Sequence, residues 1–431
     1  MRGTAAALRT RAGLTGRGWL FLATGSVVTL LGALTGVTPV TQFGVLVACV
    51  PVAAGLLTHA PRSGFELQRV PSARELPSGE LLTVTVTVRG RFPRGRSLLL
   101  EDLASPALGG THRFALNGVS GHAISRPHYR VRVGARGIHH LGPLRIHVVD
   151  RFGMVHRVIT AEGRTEVLVT PRVFPLDPVV LGGASVGSGT GQVGARGAAS
   201  DDVIPREYSP GDEIRRIDWK ASARTGSLMV RSEESPWRST MSLVLDVRAA
   251  DHRGAEPDSS VDAALSLAAS IGCLALERGW DLTVRTTDDL PVFTGSPMAG
   301  LESEGHGLLR ALATVPISHT PVPSMSLRHN ESAASGPMIL IVGAVPAPSA
   351  RLLVGIGARS RQRLLVALAA DEWRDDDSMG PAAHASRSAA REGLRLFHEA
   401  GWQISPMGRR TGVAAAWSEL AAPIAARVGA R

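Results

Sequence analysis

The sequence predicts a multi-domain membrane protein: two transmembrane helices, then a small antiparallel β-sandwich, then a C-terminal α/β domain. Three observations carry this. Two uncharged apolar runs lie within the first 60 of 431 residues, residues 61–174 alternate apolar and polar with a period of two, and strand-like runs alternate with helical ones beyond residue 238. With 44% hydrophobic residues, 48 Gly and 27 Pro, the chain has the composition of material that buries cores. Its two cysteines, Cys49 and Cys273, lie too far apart in sequence to suggest a disulfide framework or a Cys-based metal site.

Residues 1–18 are a basic N-terminal segment. The runs "WLFLATGSVVTLLGALTG" (19–36) and "FGVLVACVPVAAGLLTHA" (43–60) are each long enough to cross a hydrocarbon core of about 30 Å. They read as a helical hairpin spanning 19–60, and no A-x-A-like site follows the first run as a cleaved signal peptide would require. Arg2, Arg9, Arg11 and Arg17 precede the first span, and Arg62, Arg69 and Arg74 follow the second. The positive-inside rule therefore puts both ends, and the bulk of the chain, in the cytoplasm, as a multi-pass protein of the cell membrane. The net charge of +10 is concentrated near these spans: residues 61–172 hold 17 Arg against 8 acids, whereas residues 199–431 hold 25 basic and 28 acidic residues. Such a distribution fits an anionic lipid surface better than a nucleic-acid footprint.

In the β region (61–174), "LLTVTVTVRG" puts Val84, Val86 and Val88 on one face and Thr83, Thr85 and Thr87 on the other, the pattern of a half-buried strand. "SLLLEDL", "HYRVRVG", "IHHLGPLRIHVVD" and "TEVLVTP" repeat it between Gly-rich turns, as in a sandwich. His139 and His140 are adjacent on one strand, face opposite sides and make a poor metal pair. Residues 175–205 form a Gly/Ser-rich linker with no P-loop ending.

The α/β domain (239–431) opens with "TMSLVLDV", a buried strand, followed by a helix from Ser259 or Ser260 and the strands "DLTVRTT", "MILIVG" and "RLLVALAAD". In a parallel sheet ligands bind beyond the strands' carboxyl ends, which directs attention to Asp246. A von Willebrand A-type domain would carry D-x-S-x-S there as oxygen ligands for magnesium, but this chain has Arg248 and Ala250 at the hydroxyl positions. The site is degenerate, and the expectation is no metal, no other cofactor, and either an Asp246–Arg248 pair or a helix-capping role for Asp246. The carboxylates Asp375, Asp376 and Asp377 read as a solvated loop.

Between linker and α/β domain, residues 206–238 contain "REYSPGDEIRRIDWKASARTG", which includes Lys220, the sole lysine of the chain. Opposite charges are interleaved with apolar anchors such as Tyr208, Ile214, Ile217 and Trp219, as in a segment pinned onto a domain with its ions paired. A compact ammonium is not interchangeable with a planar guanidinium, a reason for one Lys to persist in a chain that otherwise uses Arg.

These residues carry a resemblance. The run from Arg206 to Glu234 is similar to the signature of the bacterial "domain of unknown function 58" family: Arg206, the Tyr208-x-x-Gly211-Asp212 turn, Arg216-x-Asp218-Trp219-Lys220 (Ile217 between), Arg224 and the acidic residue Glu234. "RGIHHLGPLRIHVVDRFGM" resembles a second family segment, with Arg151 where Pro is usual and Met154 where Leu is usual. The resemblance implies two membrane spans, a β domain and a von Willebrand A-like domain. It further implies a non-enzymatic adaptor whose partner is a MoxR-type AAA+ ATPase, in some members together with a transglutaminase-like membrane protein. The competing reading is a metal-dependent hydrolase or nuclease, with Asp212 and Asp218 as metal ligands and Lys220 assisting the attacking water. The Pro-Gly turn within this run, and the lack of a second strand to present the set, argue against it.

Overall fold

The computed structural model describes residues 8–59, 66–92, 98–116, 121–149, 152–177, 205–207, 217, 219–231, 239–324, 336–358, 360, 362–374 and 381–429. Asp375, Asp376 and Asp377 and most of the Gly/Ser-rich linker lie outside these residues.

The first described element is a strand in what the sequence marks only as a basic segment, β1 (Leu8–Leu14), which runs into helices α1 (Gly16–Thr35) and α2 (Thr38–His59). Both helices are long and apolar enough to cross a membrane. Small residues let them approach closely: a Cβ built on Gly25 would lie 2.5 Å from the Ala48 backbone nitrogen, and one on Gly32 or Gly44 would strike Thr41 or Thr29. Close backbone approach at small residues is how helices associate where lipid offers no hydrophobic drive. Gly25→Ile is therefore expected to separate α1 from α2. Dipolar broadening between spin labels at the exposed positions Val27 and Val45 should weaken in that variant, while Leu30→Ile, on an exposed face, should leave it unchanged.

The β region consists of β2 (Glu66–Pro71), β3 (Glu75–Pro77), β4 (Leu81–Phe92), β5 (Leu98–Ala104), β6 (His112–Leu116), β7 (Gly121–Ser125), β8 (His128–Arg132), β9 (Gly137–Val149), β10 (Val155–Ala161) and β11 (Thr165–Thr170). They form two sheets. In one, β4 pairs with β2, β7 and β8; in the other, β9 is central, with β5 on one side and β10 and β11 on the other. Every pairing is antiparallel except β3 with β11. Val84, Val86 and Val88 are fully buried against Leu98, Leu100, Leu141 and Ile146 of the facing sheet, so the alternation read from sequence is the sandwich core. β1 completes the second sheet by pairing antiparallel with β10, Leu8 opposite Ala161 and Leu14 opposite Val155.

Short strands β12 (Pro205–Glu207) and β13 (Met229–Arg231) pair across helix α3 (Trp219–Thr225). The α/β domain then follows as β14 (Thr240–Leu245), α4 (Ser260–Glu277), β15 (Asp281–Thr286), β16 (Pro291–Gly295), α5 (Leu301–Ala313), β17 (Met338–Val342), α6 (Ala347–Leu353), β18 (Arg363–Leu368), α7 (Pro381–Glu399), β19 (Gln403–Met407) and α8 (Gly412–Gly429). The sheet order is β16-β15-β14-β17-β18-β19, parallel except for the antiparallel edge strand β16. This is the doubly wound order, with its switch point between β14 and β17. Ser259, one of the two expected caps, closes α4 with a reciprocal capping box to Asp262. Two apolar clusters, one on each face, bury the strands; α4 lies in the one that also holds Trp417.

The sandwich and the α/β domain are tied together. Arg136 donates to Glu256 at 3.0 Å and to Asp262 at 2.5 Å, the Phe174 N–H donates to Ser270, and the Trp417 indole donates to the Asp177 carbonyl at 2.9 Å.

Candidate functional site

At the switch point the chain leaves β14 through Asp246, turns at Ala249–Asp251 and enters α4. Four buried groups converge there: Asp246 (0% exposed), Arg248 (1%), Asp251 (4%) and His252 (6%). Arg248 folds back on its own strand end, with Nε donating to Asp246 Oδ1 at 2.9 Å and Nη2 to Oδ2 at 3.0 Å. Nη2 also donates to Asp251, and Nη1 reaches Ser349 on α6 at 3.2 Å. Asp246 Oδ1 further accepts from the Arg248 N–H at 3.1 Å and from Thr287, just beyond β15, at 3.2 Å. One guanidinium thus ties β14 to α6, while its carboxylate partner ties in the end of β15.

Charge decides how this cluster titrates. Removing Asp246 from water disfavours its charged form, but the adjacent Arg248 guanidinium outweighs this, and its carboxyl is held below the usual range. Asp251 goes the other way: burial, reinforced by the neighbouring Asp246 charge, pushes it up to about 7. One cation between two carboxylates stabilises the one it grips bidentately and leaves the other inclined to keep a proton. His252 is lowered by burial, and its Nε2 donates to the Asp246 carbonyl at 2.9 Å, which fits a neutral ring.

A metal finds no opening here. The two Asp246 oxygens already accept four hydrogen bonds, as many as a carboxylate's lone pairs accommodate, and the guanidinium lies where a cation would have to bind. Among the described residues, no other group of three or more His, Cys, Asp or Glu side chains could hold a metal ion. The sequence pointed to Asp246 and Arg248; Asp251, Thr287 and Ser349 join them only in three dimensions.

The signature segment is described in part. Arg206 lies on β12, whereas Tyr208, Gly211, Asp212, Arg216, Asp218 and Glu234 lie outside the described residues. Trp219, Lys220 and Arg224 are on α3, whose Ser222 hydroxyl accepts from the Met229 N–H at 2.8 Å and holds the helix to β13. Trp219, expected as an apolar anchor, is instead 67% exposed, and Lys220 and Arg224 are exposed too. Among the described side chains of this segment, Met229 is buried.

The family described as "Protein of unknown function DUF58" matches residues 205–331. Over that segment the chain is similar to the DUF58 family. The DUF58 match begins at β12, includes α3 and the Asp246–Arg248 cluster, and ends after α5. A relative, the "Uncharacterized protein YeaD" of Bacillus subtilis (strain 168), is 27% identical over 207 residues, 45% of this chain and 50% of YeaD. The matched region thus spans about half the length of that relative. Among solved structures, a CARDB domain from Pyrococcus furiosus is 11% identical, with 25% of this chain and 88% of that one covered at a TM-score of 0.18. A beta-glucosidase from Listeria innocua is 17% identical, with 25% and 16% covered at a TM-score of 0.16. Likenesses this low carry no argument about this chain.

A second buried ion network lies in the sandwich. Asp102, fully buried on β5, accepts from Arg69 Nε at 2.9 Å and Nη2 at 2.5 Å and from the Tyr129 hydroxyl at 2.8 Å. Arg69 also donates to the Leu141 carbonyl at 3.0 Å. An aspartate that follows Leu98 and Leu100 at the inward positions of β5 was the available signal.

Proposed function

We propose that this protein is a membrane-anchored, non-catalytic scaffold whose α/β domain is von Willebrand A-like and whose partner is a MoxR-type AAA+ ATPase. One observation carries the reading: the crevice where a doubly wound sheet normally takes its ligand is filled by Arg248, with Asp246 saturated. That position serves to brace the domain, and recognition falls to the surface around α3. A tryptophan exposed to 67%, with Arg224 on the same short helix, supplies two of the residue types enriched at interface hot spots. The sheet order with one antiparallel edge strand supports the von Willebrand A-like reading.

The anchor is the α1–α2 hairpin, crossing the membrane twice. Pairing of β1 with β10 supports both ends lying on one side, since residues before α1 and after α2 share a sheet. The arginines flanking the spans favour the cytoplasm for that side.

Affinity purification of the full chain from native membranes tests the partner. A MoxR-type ATPase should co-purify with the wild type, and Trp219→Ala should reduce its recovery about tenfold or more, the usual scale of an aromatic hot spot. Because Trp219 is exposed, the melting temperature should not move. Lys220→Arg is the finer probe, since it keeps charge and changes donor geometry. Equal recovery with both variants, or no ATPase at all, would sink the proposal.

A further inference from the structure

β2 is an edge strand: it pairs with β4 and with no other described strand. Its free edge can be read residue by residue. The Ser72 N–H, one position past β2, donates to the Thr83 carbonyl at 2.8 Å, and hydrogen-bonded positions alternate along an antiparallel pair. Val70 and Gln68 therefore bond to β4, whereas the N–H and C=O of Leu67 and Arg69 and the C=O of Pro71 point away from it. Among the described residues nothing takes these groups. Such a row is a template for one more strand.

A groove of about 930 Å³ runs along that edge, and its volume falls in the range of ligand sites, roughly 300–1,000 Å³. β2 lines it from Leu67 to Pro71, and Leu144, Ala161 and Leu168 of the facing sheet supply an apolar wall. The rim is charged. Arg310 of α5 lies 3.9 Å from Glu75 and from Glu166, while Arg74 and Arg164, both exposed, make no ion pair among the described residues. Three cations thus face two acids, and the unpaired charge is positive. The Arg69 guanidinium is no part of this surplus, because Asp102 and the Leu141 carbonyl already hold it.

We propose that this groove takes an extended peptide segment with acidic side chains, which adds to β2 as a further strand and bonds through its main chain to Leu67, Arg69 and Pro71. The occupant is a peptide because a main chain supplies the alternating donors and acceptors that match this row, and it is acidic because the charges left over are arginines. Every second side chain faces the apolar wall, and the acidic ones between them face the rim of Arg74 and Arg164. Pro71 has no N–H and ends the ladder, so the added strand is short, about four residues or about 13 Å. None of these residues is on α3, and the proposal does not depend on the ATPase reading.

Hexapeptide libraries test it on the full chain in detergent. One library alternates Val, Ile or Leu with Asp or Glu, and a matched one replaces the acids by Lys or Arg. The acidic library is expected to yield binders and the basic one none. Binding of the best acidic peptide, read by fluorescence anisotropy, should weaken about tenfold or more in the double variant Arg74→Glu, Arg164→Glu. Both residues are exposed, so the melting temperature should not move. N-methylation gives the ladder its own readout: a methyl group on every second amide of the peptide should abolish binding, and on the intervening amides should leave it intact. No binder from the acidic library, equal binding from both libraries, or indifference to every N-methylation overturns the proposal. Efficient disulfide formation between copies of a Gln68→Cys variant in a Cys49→Ala, Cys273→Ala background, with the acidic peptide unable to compete, would assign the edge to a second copy of the chain and overturn it too.

Discussion

Replacing Arg248 by methionine is expected to destabilise the α/β domain by about 3–5 kcal/mol, the cost of removing one partner from a buried ion pair. The loss should be large because Asp246 and Asp251 are both buried and would face each other with no cation between them. Ser349 would lose its tie to the end of β14 as well. Chemical denaturation of the detergent-solubilised protein, followed by near-ultraviolet dichroism, measures it. A change below about 1 kcal/mol, the ordinary range for positions outside buried networks, would show that Arg248 does not brace the switch point.

The same cluster predicts a pH dependence with a definite sign. Asp251 has a folded value of about 7, raised from an ordinary 3.8, so the folded state holds its proton more tightly than the unfolded state does. Its contribution to stability is fully present below the ordinary value and is lost as pH rises toward and through about 7. Asp251→Asn imitates the protonated carboxyl, offering an acceptor to Arg248 and a donor to Asp246. Between pH 4 and 8 the variant should lack this component of the pH slope, and at pH 8 it should be at least as stable as the wild type. A variant that loses stability at pH 8 would mean that the ionised form of Asp251 is the one the fold requires.

Asp102→Ala in the sandwich is the second change expected to cost about 3–5 kcal/mol, since it leaves the buried Arg69 guanidinium without its bidentate partner. Arg69 also reaches the Leu141 carbonyl on β9, so hydrogen exchange should accelerate along β9 and β2 while the α/β core stays protected. The double variant Arg69→Met, Asp102→Leu removes both charges and fills the space with apolar atoms. It should recover most of the loss, because a buried pair contributes little beyond its own desolvation. Failure to recover would indicate that the Tyr129 and Leu141 contacts, rather than charge compensation, are what the sandwich needs.

Much of the architecture is legible residue by residue. The valines of "LLTVTVTVRG" are the core positions of β4, because a strand's period of two is a local property and one face was buried. Ser259 caps α4 through Asp262, three residues on, again a local pattern. Asp246 and Arg248 are two residues apart, so their pairing could be read from the sequence. Trp219 could not be placed the same way: its apolar character predicted an anchor, yet it is 67% exposed, while Met229 on β13 is buried.

What the sequence by itself determined is therefore what depends on neighbours in the chain: the two apolar spans, the alternating strands, the helix cap and the occupied Asp246 site. Tertiary structure alone decided the rest. Leu8–Leu14 has no strong strand pattern and becomes one because β10, about 140 residues later, offers an edge to pair with. Asp251, Thr287 and Ser349 meet Arg248 because three separate connections end at one side of a sheet. Ser260–Glu277 is long and apolar enough to cross a membrane, as α1 and α2 are, yet 67% of that window is buried within the α/β domain against 17% for each of the others. Hydropathy records only that a helix must leave water, and whether lipid or protein receives it depends on a sheet face assembled from strands far away in the chain.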